Sequence, residues 1–232
     1  MSALTWSTIA SLATALGTLV LAVATFSAVR SSNLMAKIAQ EQFLVQLRPV
    51  LTTSRREDPV LKVNFGDSKW VHIPGAGAVA EVSPGDGSMG PDTPVVYLAL
   101  ALRNAGNGIA VLHGWRFYPD PHRDPQHAPL EEFQRQNRDL YIPVGDVGFW
   151  QGAYRDTEQP GYDEARKVIE DREPWTVELL YGDHEGGQRV ISRFTILPVN
   201  HPDPNPDQGQ PTEQRWLATA SRHWNIDRPD PR

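Results

Sequence analysis

The sequence predicts a mainly β protein. An N-terminal transmembrane helix and a juxtamembrane helix are followed by an antiparallel Ig-like β-sandwich with one or two short helical insertions. All 20 prolines lie at or after Pro49, and residues 2–29 carry no charge. Beyond Pro49, short apolar segments with a period of two residues alternate with glycine, asparagine and proline, as in an all-β domain. The predicted parts are a membrane anchor (1–30), a juxtamembrane helix (31–48), a sandwich (49–200) and a proline-rich linker with a C-terminal tail (201–232).

The anchor is predicted from the uncharged segment between Leu4 and Val29. As a helix, this segment would span roughly 39 Å, which exceeds a hydrocarbon core of about 30 Å. Its serine and threonine hydroxyls can bond to carbonyls one turn earlier. A cleaved signal peptide is the alternative, and Ala22-Val23-Ala24 has the required small residues. However, no basic residue precedes the apolar segment, and the segment is longer than a signal peptide needs.

Basic residues beside the apolar segment predict the orientation of the chain. Arg30, Lys37 and Arg48 follow it, whereas only the α-amino group precedes it. Positive charge favours the cytoplasmic side, so the folded domain is expected in the cytoplasm. Residues 31–47 contain good helix formers and no proline, and they are expected to continue the membrane helix.

Alternating apolar residues predict the strands of the domain. Val95–Leu102 is expected to be a core strand, followed by Ile109–Tyr118 and by a hairpin of Thr176–Tyr181 with Arg189–Leu197. Leu100 shares a face with other apolar residues, so Leu100→Asp is expected to unfold the sandwich, whereas Ala101→Asp on the other face is expected to be milder. Further strands are expected at Val50–Ser54, Leu61–Phe65, Trp70–Ile73, Ala78–Val82, Leu140–Ile142 and Gly148–Tyr154.

Two short helices are expected among these strands. Pro129–Arg138 begins with proline and has glutamates in its first turn, and Pro160–Asp171 has apolar residues on one side. The C-terminal segment Arg215–Asn225 regains apolar residues, so Trp216 and Leu217 are expected to dock on the domain.

Composition excludes several classes of function. The net charge of −6 gives no electrostatic basis for binding nucleic acid. The chain has no cysteine, which excludes thiol catalysis, thiolate zinc sites and iron–sulfur clusters. No motif in the sequence points to a cofactor.

Two turn motifs carry a resemblance. Asn104-Ala105-Gly106-Asn107-Gly108 with Ala110, and Tyr181-Gly182-Asp183-His184-Glu185-Gly186, accompany an Arg48-Pro49 pair after an uncharged N-terminal segment. This arrangement resembles uncharacterised bacterial single-pass membrane proteins with an N-terminal transmembrane helix and a C-terminal β-sandwich domain. The resemblance implies an anchored sandwich and carries no activity.

A few residues are candidates for interaction. Asp183, His184 and Glu185 at a hairpin tip could hold a metal or act as an acid–base pair, although a turn alone also favours such residues. Trp70 and Trp224 could mark a binding surface if exposed, and could equally belong to the core. The loop from His122 to His127 could gather a cation, but its prolines argue against helical ligand spacing.

The sequence therefore predicts a membrane-anchored, non-enzymatic interaction or scaffold protein that contacts the lipid bilayer and a protein partner. The alternatives are an outward-facing domain that binds carbohydrate or other envelope material, and a hydrolase with its acids at Asp183 and Glu185. The first two differ in the side of the membrane on which the domain lies.

Overall fold

The computed structural model describes residues 3–85, 93–121, 124–199 and 215–227, with side chains from Trp6 onward. The chain divides into two compact units, a helical unit that ends at Gln46 and a β domain that begins at Leu47. The elements are α1 (Ala3–Gln46), β1 (Leu51–Thr53), β2 (Leu61–Asn64), β3 (Trp70–Ile73), β4 (Gly77–Pro84), β5 (Pro94–Asn104), β6 (Ala110–Tyr118), β7 (Gln134–Ile142), β8 (Val147–Tyr154), α2 (Tyr162–Glu170), β9 (Trp175–Asp183), β10 (Arg189–Pro198) and β11 (Trp216–Asn225).

Helix α1 is one continuous helix of 44 residues, so a separate juxtamembrane helix is not confirmed. It is long and apolar enough to cross a membrane, although a signal sequence near the N-terminus can also be that apolar over a span of about 18 residues. Several of its hydroxyl groups donate to carbonyls within the helix, as the sequence predicts. Those of Thr14 and Thr25, for example, donate to the carbonyls of Ala10 (2.9 Å) and Leu21 (2.7 Å).

Within the described residues, nine strands form one antiparallel sheet in the order β1-β5-β4-β11-β10-β9-β6-β7, with β8 also paired to β5. Strand β5 pairs with β8 along one edge, and β4 and β1 share its other edge. The sheet curls until β7 approaches β8, where the Gln136 side-chain amide donates to the Gln151 carbonyl at 2.9 Å. The predicted Ig-like sandwich is not confirmed, because these strands lie in one sheet rather than two facing sheets.

The main core fills the inside of the curled sheet. Large side chains from widely separated strands meet there, and Leu100, Trp150, Trp175 and Phe194 are all fully buried. Helix α2 contributes Tyr162, Ala165, Val168 and Ile169 to the same cluster. The prediction of a helix at Pro160–Asp171 is thus confirmed.

A second, smaller sheet of β2 and β3 covers the outer face of β5. Val63 and Ile73 from this pair cluster with Tyr97 and Ala101, so both faces of β5 are buried. Ala101 is only 1% exposed. This burial removes the basis for expecting Ala101→Asp to be milder, because the β2–β3 pair covers that face.

The predicted helix at Pro129–Arg138 is also wrong. A single 3₁₀ turn at Leu130–Glu132 is followed at once by β7, which pairs with β6. Proline and first-turn glutamates suit one turn as well as a longer helix. Pairing with β6 then outweighs the local helix propensity of the polar residues that follow.

The C-terminal segment docks on the domain, as predicted, and it does so as a full strand. Strand β11 pairs with β10 over its whole length and with β4 at Trp216 and Leu217. Trp216 is 1% exposed and lies beside Trp175, with ring centroids 6.3 Å apart. The segment therefore completes the sheet.

Asn104 links the segments around the end of β5. Its side-chain oxygen accepts hydrogen bonds from the N–H groups of Val50 (3.3 Å) and Gly106 (3.0 Å). Its amide donates to the carbonyls of Gly108 (2.6 Å) and Ile142 (3.0 Å). The Asn-x-Gly-x-Gly turn noted in the sequence thus joins the start of the domain to the end of β7.

Candidate functional site

A groove lies between β7 and β8, where the curled sheet does not close. Within the described residues, no backbone ladder joins these two strands. The pairing of β7 with β6 shifts between Leu112 and Gly114, so that Leu140 lies opposite Leu112 and Arg135 lies opposite Gly114. The residues between them, 136–139, bulge out of the ladder, and such bulges redirect side chains at the margin of a sheet. The bulge brings Gln136 to the groove.

The lining of this groove is cationic and rich in amides. Its volume of about 520 Å³ lies in the range of small-ligand sites. The guanidinium groups are those of Arg135, Arg138 and Arg155. The amides are those of Gln134, Gln136, Asn137, Gln151 and Gln159. No acidic residue occurs among the described residues that line the groove, although the whole chain carries a net charge of −6.

Hydrogen bonds across the groove hold several of these side chains in place. Gln151 accepts twice, through its carbonyl from the Gln136 amide (2.9 Å) and through its side-chain oxygen from Arg138 (2.8 Å). At one end the Gln159 amide donates to the Gln134 side-chain oxygen at 3.0 Å. The second atom of the Gln136 amide group, its oxygen Oε1, is buried and has no partner among the described residues. The groove therefore contains an unused acceptor as well as cationic donors.

The carboxylate of Asp67, which does not line the groove, holds the Arg155 side chain in place. Arg155 donates to Asp67 and to the Phe65 carbonyl (2.8 Å), and Asp67 also accepts from the Tyr97 hydroxyl (2.7 Å). Burial acts to raise the pKa of Asp67, but the hydrogen bonds from Tyr97 and Arg155 outweigh it and lower that pKa. Burial and the neighbouring Asp67 carboxylate raise the pKa of Tyr97. Because Asp67 stays ionised, Arg155 is partly neutralised, and Arg135 and Arg138 provide the uncompensated charge.

The Trp115 ring lies at the floor of the groove and packs within a buried aromatic cluster. Trp115 is 3% exposed, and its ring stands edge-on to those of Trp150 and Tyr154 at centroid distances of 5.4 and 5.2 Å. A Cβ on Gly152 would lie only 3.0 Å from the Trp115 ring and 2.7 Å from the Trp150 ring, so glycine allows this close approach. Burial raises the pKa of Tyr154 to about 12, which keeps its hydroxyl neutral. The floor is rigid and apolar, and the walls are polar.

The hairpin tip between β9 and β10 lies outside the groove. Asp183 is 2% exposed, and its Oδ1 accepts a hydrogen bond from the Gly187 N–H at 3.0 Å. His184 and Glu185 are exposed and lie 3.3 Å apart. The Asp183 side chain therefore braces the turn, while its two neighbours point to solvent.

The two candidate tryptophans have different environments. Trp70 is 52% exposed, and the Lys62 ammonium lies 4.7 Å from its ring. Trp224 is 6% exposed and packs against Arg193, whose guanidinium lies 4.8 Å from the ring. Arg193 in turn forms a buried ion pair with Glu178. The structure thus places Trp70 on a surface and Trp224 in a packed cluster, and neither lines the groove.

Metal ligands do not converge in the part of the chain that the structure describes. No group of three or more His, Asp or Glu residues there could hold an ion. His122 of the candidate cation loop lies outside the described residues, and the His127 ring stands edge-on to Trp224, with centroids 5.7 Å apart.

Sequence reasoning missed the groove because it assigned the first part of β7 to a helix. The segment Gln134–Asp139 is polar at every position, so it gives no alternation that would indicate a strand. The available signal was the concentration of arginine and glutamine in residues 134–138 of an acidic chain. Compared with known proteins, the chain matches no family model, no curated protein and no solved structure.

Proposed function

We propose that this chain is a membrane-anchored, non-enzymatic interaction protein whose β7–β8 groove binds an anionic partner. The observation that carries this proposal is the lining of the groove, with three guanidinium groups and no carboxylate on an acidic chain. A cationic cleft over an apolar floor focuses positive potential and raises the local concentration of anions. Complementary charge also selects partners and speeds association.

The chemistry of the lining supports binding rather than catalysis. Guanidinium groups stay protonated in proteins, and amides do not titrate, so neither exchanges protons at neutral pH. Both are effective donors to carboxylate and other oxyanions, and guanidinium pairs with carboxylate in two parallel bonds. These groups suit the recognition of an acidic surface.

Helix α1 supports the anchored part of the proposal. Its 44 residues correspond to about 66 Å, which exceeds the thickness of a bilayer core. Arg30, Lys37 and Arg48 support a cytoplasmic domain.

Fusions of alkaline phosphatase and of a fluorescent protein to the C-terminus test this orientation in cells. The fluorescent-protein fusion is expected to fluoresce and the phosphatase fusion to be inactive. An active phosphatase fusion with a non-fluorescent partner fusion would favour the alternative, an outward-facing domain for envelope or carbohydrate ligands.

Equilibrium binding tests the groove itself. The full chain in nanodiscs of phosphatidylcholine, a lipid without net charge, is titrated with fluorescently labelled polyglutamate and followed by anisotropy. Arg138→Gln is expected to weaken binding by about tenfold, since it removes one charge-assisted contact. Arg56→Gln is the matched control, because Arg56 is exposed, carries the same charge and lies outside the groove. Equal affinity of the two variants would contradict the proposal.

A further inference from the structure

We propose, resting on the anionic site above, that the occupant of the groove is an extended acidic polypeptide segment that pairs with the free edge of β8. The groove offers two recognition elements at once, an open strand edge and uncompensated guanidinium groups. Addition of a strand to an open edge supplies affinity through main-chain hydrogen bonds and specificity through alternate side chains.

The free edge of β8 is identified by one hydrogen bond. The Gln151 carbonyl accepts from the Gln136 side chain, so it points towards β7 and away from β5. In an antiparallel strand the N–H and C=O of one residue point to the same side, and this side alternates along the chain. Phe149 and Ala153 therefore also direct their N–H and C=O groups into the groove. Neither has a backbone partner there among the described residues.

The Gln136 side chain occupies part of this edge. Its amide nitrogen takes the position of a strand N–H at the Gln151 carbonyl, and its buried Oε1 has no donor. A glutamate N–H of the peptide can replace this contact at the Gln151 carbonyl. An incoming strand thus supplies partners for the open backbone groups of Phe149, Gln151 and Ala153.

Charge completes the match along the strand. The Gln151 side chain lies on the groove side, because its oxygen accepts from Arg138 at 2.8 Å. Residues opposite each other in a ladder place their side chains on the same face. A peptide residue opposite Gln151 therefore directs its side chain towards Arg138. A glutamate at that position would pair with the guanidinium group, and alternate glutamates would continue this pattern.

An acidic carbohydrate fits the groove less well. Sugar rings bind proteins through exposed aromatic faces, and the groove offers none of its own. Trp115 is 3% exposed, and the Phe149 ring is covered by the Arg138 guanidinium at 5.6 Å. The open backbone edge also has no specific use for a sugar. These contacts favour a peptide.

Selective N-methylation tests the pairing. The probes are labelled peptides of about six residues that alternate glutamate and valine, as long as a typical strand. One isomer is N-methylated at the glutamates and the other at the valines, so both keep the same charge and number of methyl groups. Glutamates opposite Gln151 use their N–H groups in the ladder. Methylation at glutamate is therefore expected to weaken binding to the full chain in phosphatidylcholine nanodiscs by about tenfold, and methylation at valine to leave it within about twofold.

The outcomes separate this inference from the proposed function. Equal binding of both isomers would overturn the strand pairing while the anionic site stands. Binding of an oligogalacturonate, with no binding of the unmodified peptide, would overturn the peptide and leave an anionic site for carbohydrate. If neither probe binds, both the inference and the proposed function fail. Loss of peptide binding in Arg138→Gln, together with the expected isomer preference, supports both.

Discussion

Single residues with several partners connect distant parts of this chain, and Asn104 is the clearest example. Its side chain makes four hydrogen bonds to backbone groups of four different residues, and it is 0% exposed. The following turn is equally constrained, because a Cβ on Gly108 would lie 1.6 Å from the Leu47 carbonyl oxygen. The motif was visible in the sequence as turn chemistry. Its long-range role was not, because the partner segments are some 40 to 60 residues away and nothing local indicates them.

We expect Asn104→Ala to destabilise the domain by about 3 kcal/mol, because it leaves buried N–H and C=O groups without partners. Asn107→Ala in the same turn is the matched control. Asn107 is exposed, and its substitution should change stability by about 0.5 kcal/mol or less. Urea unfolding of both variants, followed by tryptophan fluorescence, measures the difference. Similar midpoints would show that Asn104 does not tie these segments together.

The Asp67–Arg155 pair predicts a dependence of stability on pH. Because folding lowers the pKa of Asp67, the ionised carboxylate stabilises the folded chain above the ordinary aspartate pKa. That contribution is lost as the pH falls through the lowered value. The melting temperature of Asp67→Asn should therefore lie below that of the wild type at neutral pH, and the gap should narrow below about pH 4. Glu57→Gln, an exposed carboxylate, should show no such gap, and a constant gap for Asp67→Asn would contradict the ion-pair account.

At the level of elements, the strongly apolar strands were predicted from the sequence, whereas a strand whose first half is polar at every position was not. Strand β5 and the β9–β10 hairpin have strong apolar patterns, and both are confirmed close to their predicted bounds. Strand β7 is polar on both faces in its first half because it lines the groove, so its pattern gave no period. The covering of β5 by the β2–β3 pair depends on tertiary packing, which no local pattern records.

Because both faces of β5 are buried, one substitution on each face tests whether β2 and β3 cover this strand. Leu100→Asp and Ala101→Asp should both unfold the domain, because each places a charge at a position with 1% exposure or less. An unpaired buried charge costs several kcal/mol, against a total stability of about 5–15 kcal/mol. Circular dichroism of the two purified variants measures this. A folded Ala101→Asp with a cooperative melt would mean that water reaches the face beneath β2 and β3.

At the β9–β10 hairpin tip, a contribution to stability and a role in metal binding can be tested separately. Gly186 has a φ of +76°, so Gly186→Val should cost about 1–2 kcal/mol from strain. His184→Ala should change stability by about 0.5 kcal/mol or less, since His184 is exposed. Calorimetric titration with divalent cations should give no binding heat in either the wild type or His184→Ala. A micromolar site that the alanine abolishes would restore this tip as a functional site.

At the scale of the whole molecule, the chain divides into an apolar helix and a β domain with its own core. The domain from Leu47 contains the cluster inside the curled sheet and the smaller cluster beneath β2 and β3. The segregation of proline, glycine and charge predicted this division directly from the sequence. The curling of one sheet in place of a sandwich could not be predicted in the same way, since strand order depends on pairings across the whole chain.

Deletion of residues 1–30 should release a folded, soluble domain, because the packed core begins after the helix. Sedimentation after a high-salt wash, with circular dichroism of the supernatant, measures the result. The full chain should stay with the membrane fraction under the same wash. If the truncated chain also sediments with membranes, residues 34–47 contribute to anchoring and the single-span description is incomplete.

Hydrogen–deuterium exchange of the full chain in phosphatidylcholine nanodiscs, with and without polyglutamate, tests the central claim that the β7–β8 groove binds an anionic partner. Added polyglutamate should slow exchange in segments from Gln134–Ile142 and Val147–Tyr154, where backbone amides line the open edge. Exchange at the β9–β10 tip around His184 should not change. Slower exchange at that tip, or no change in β7 and β8 at saturating polyglutamate, would contradict the account.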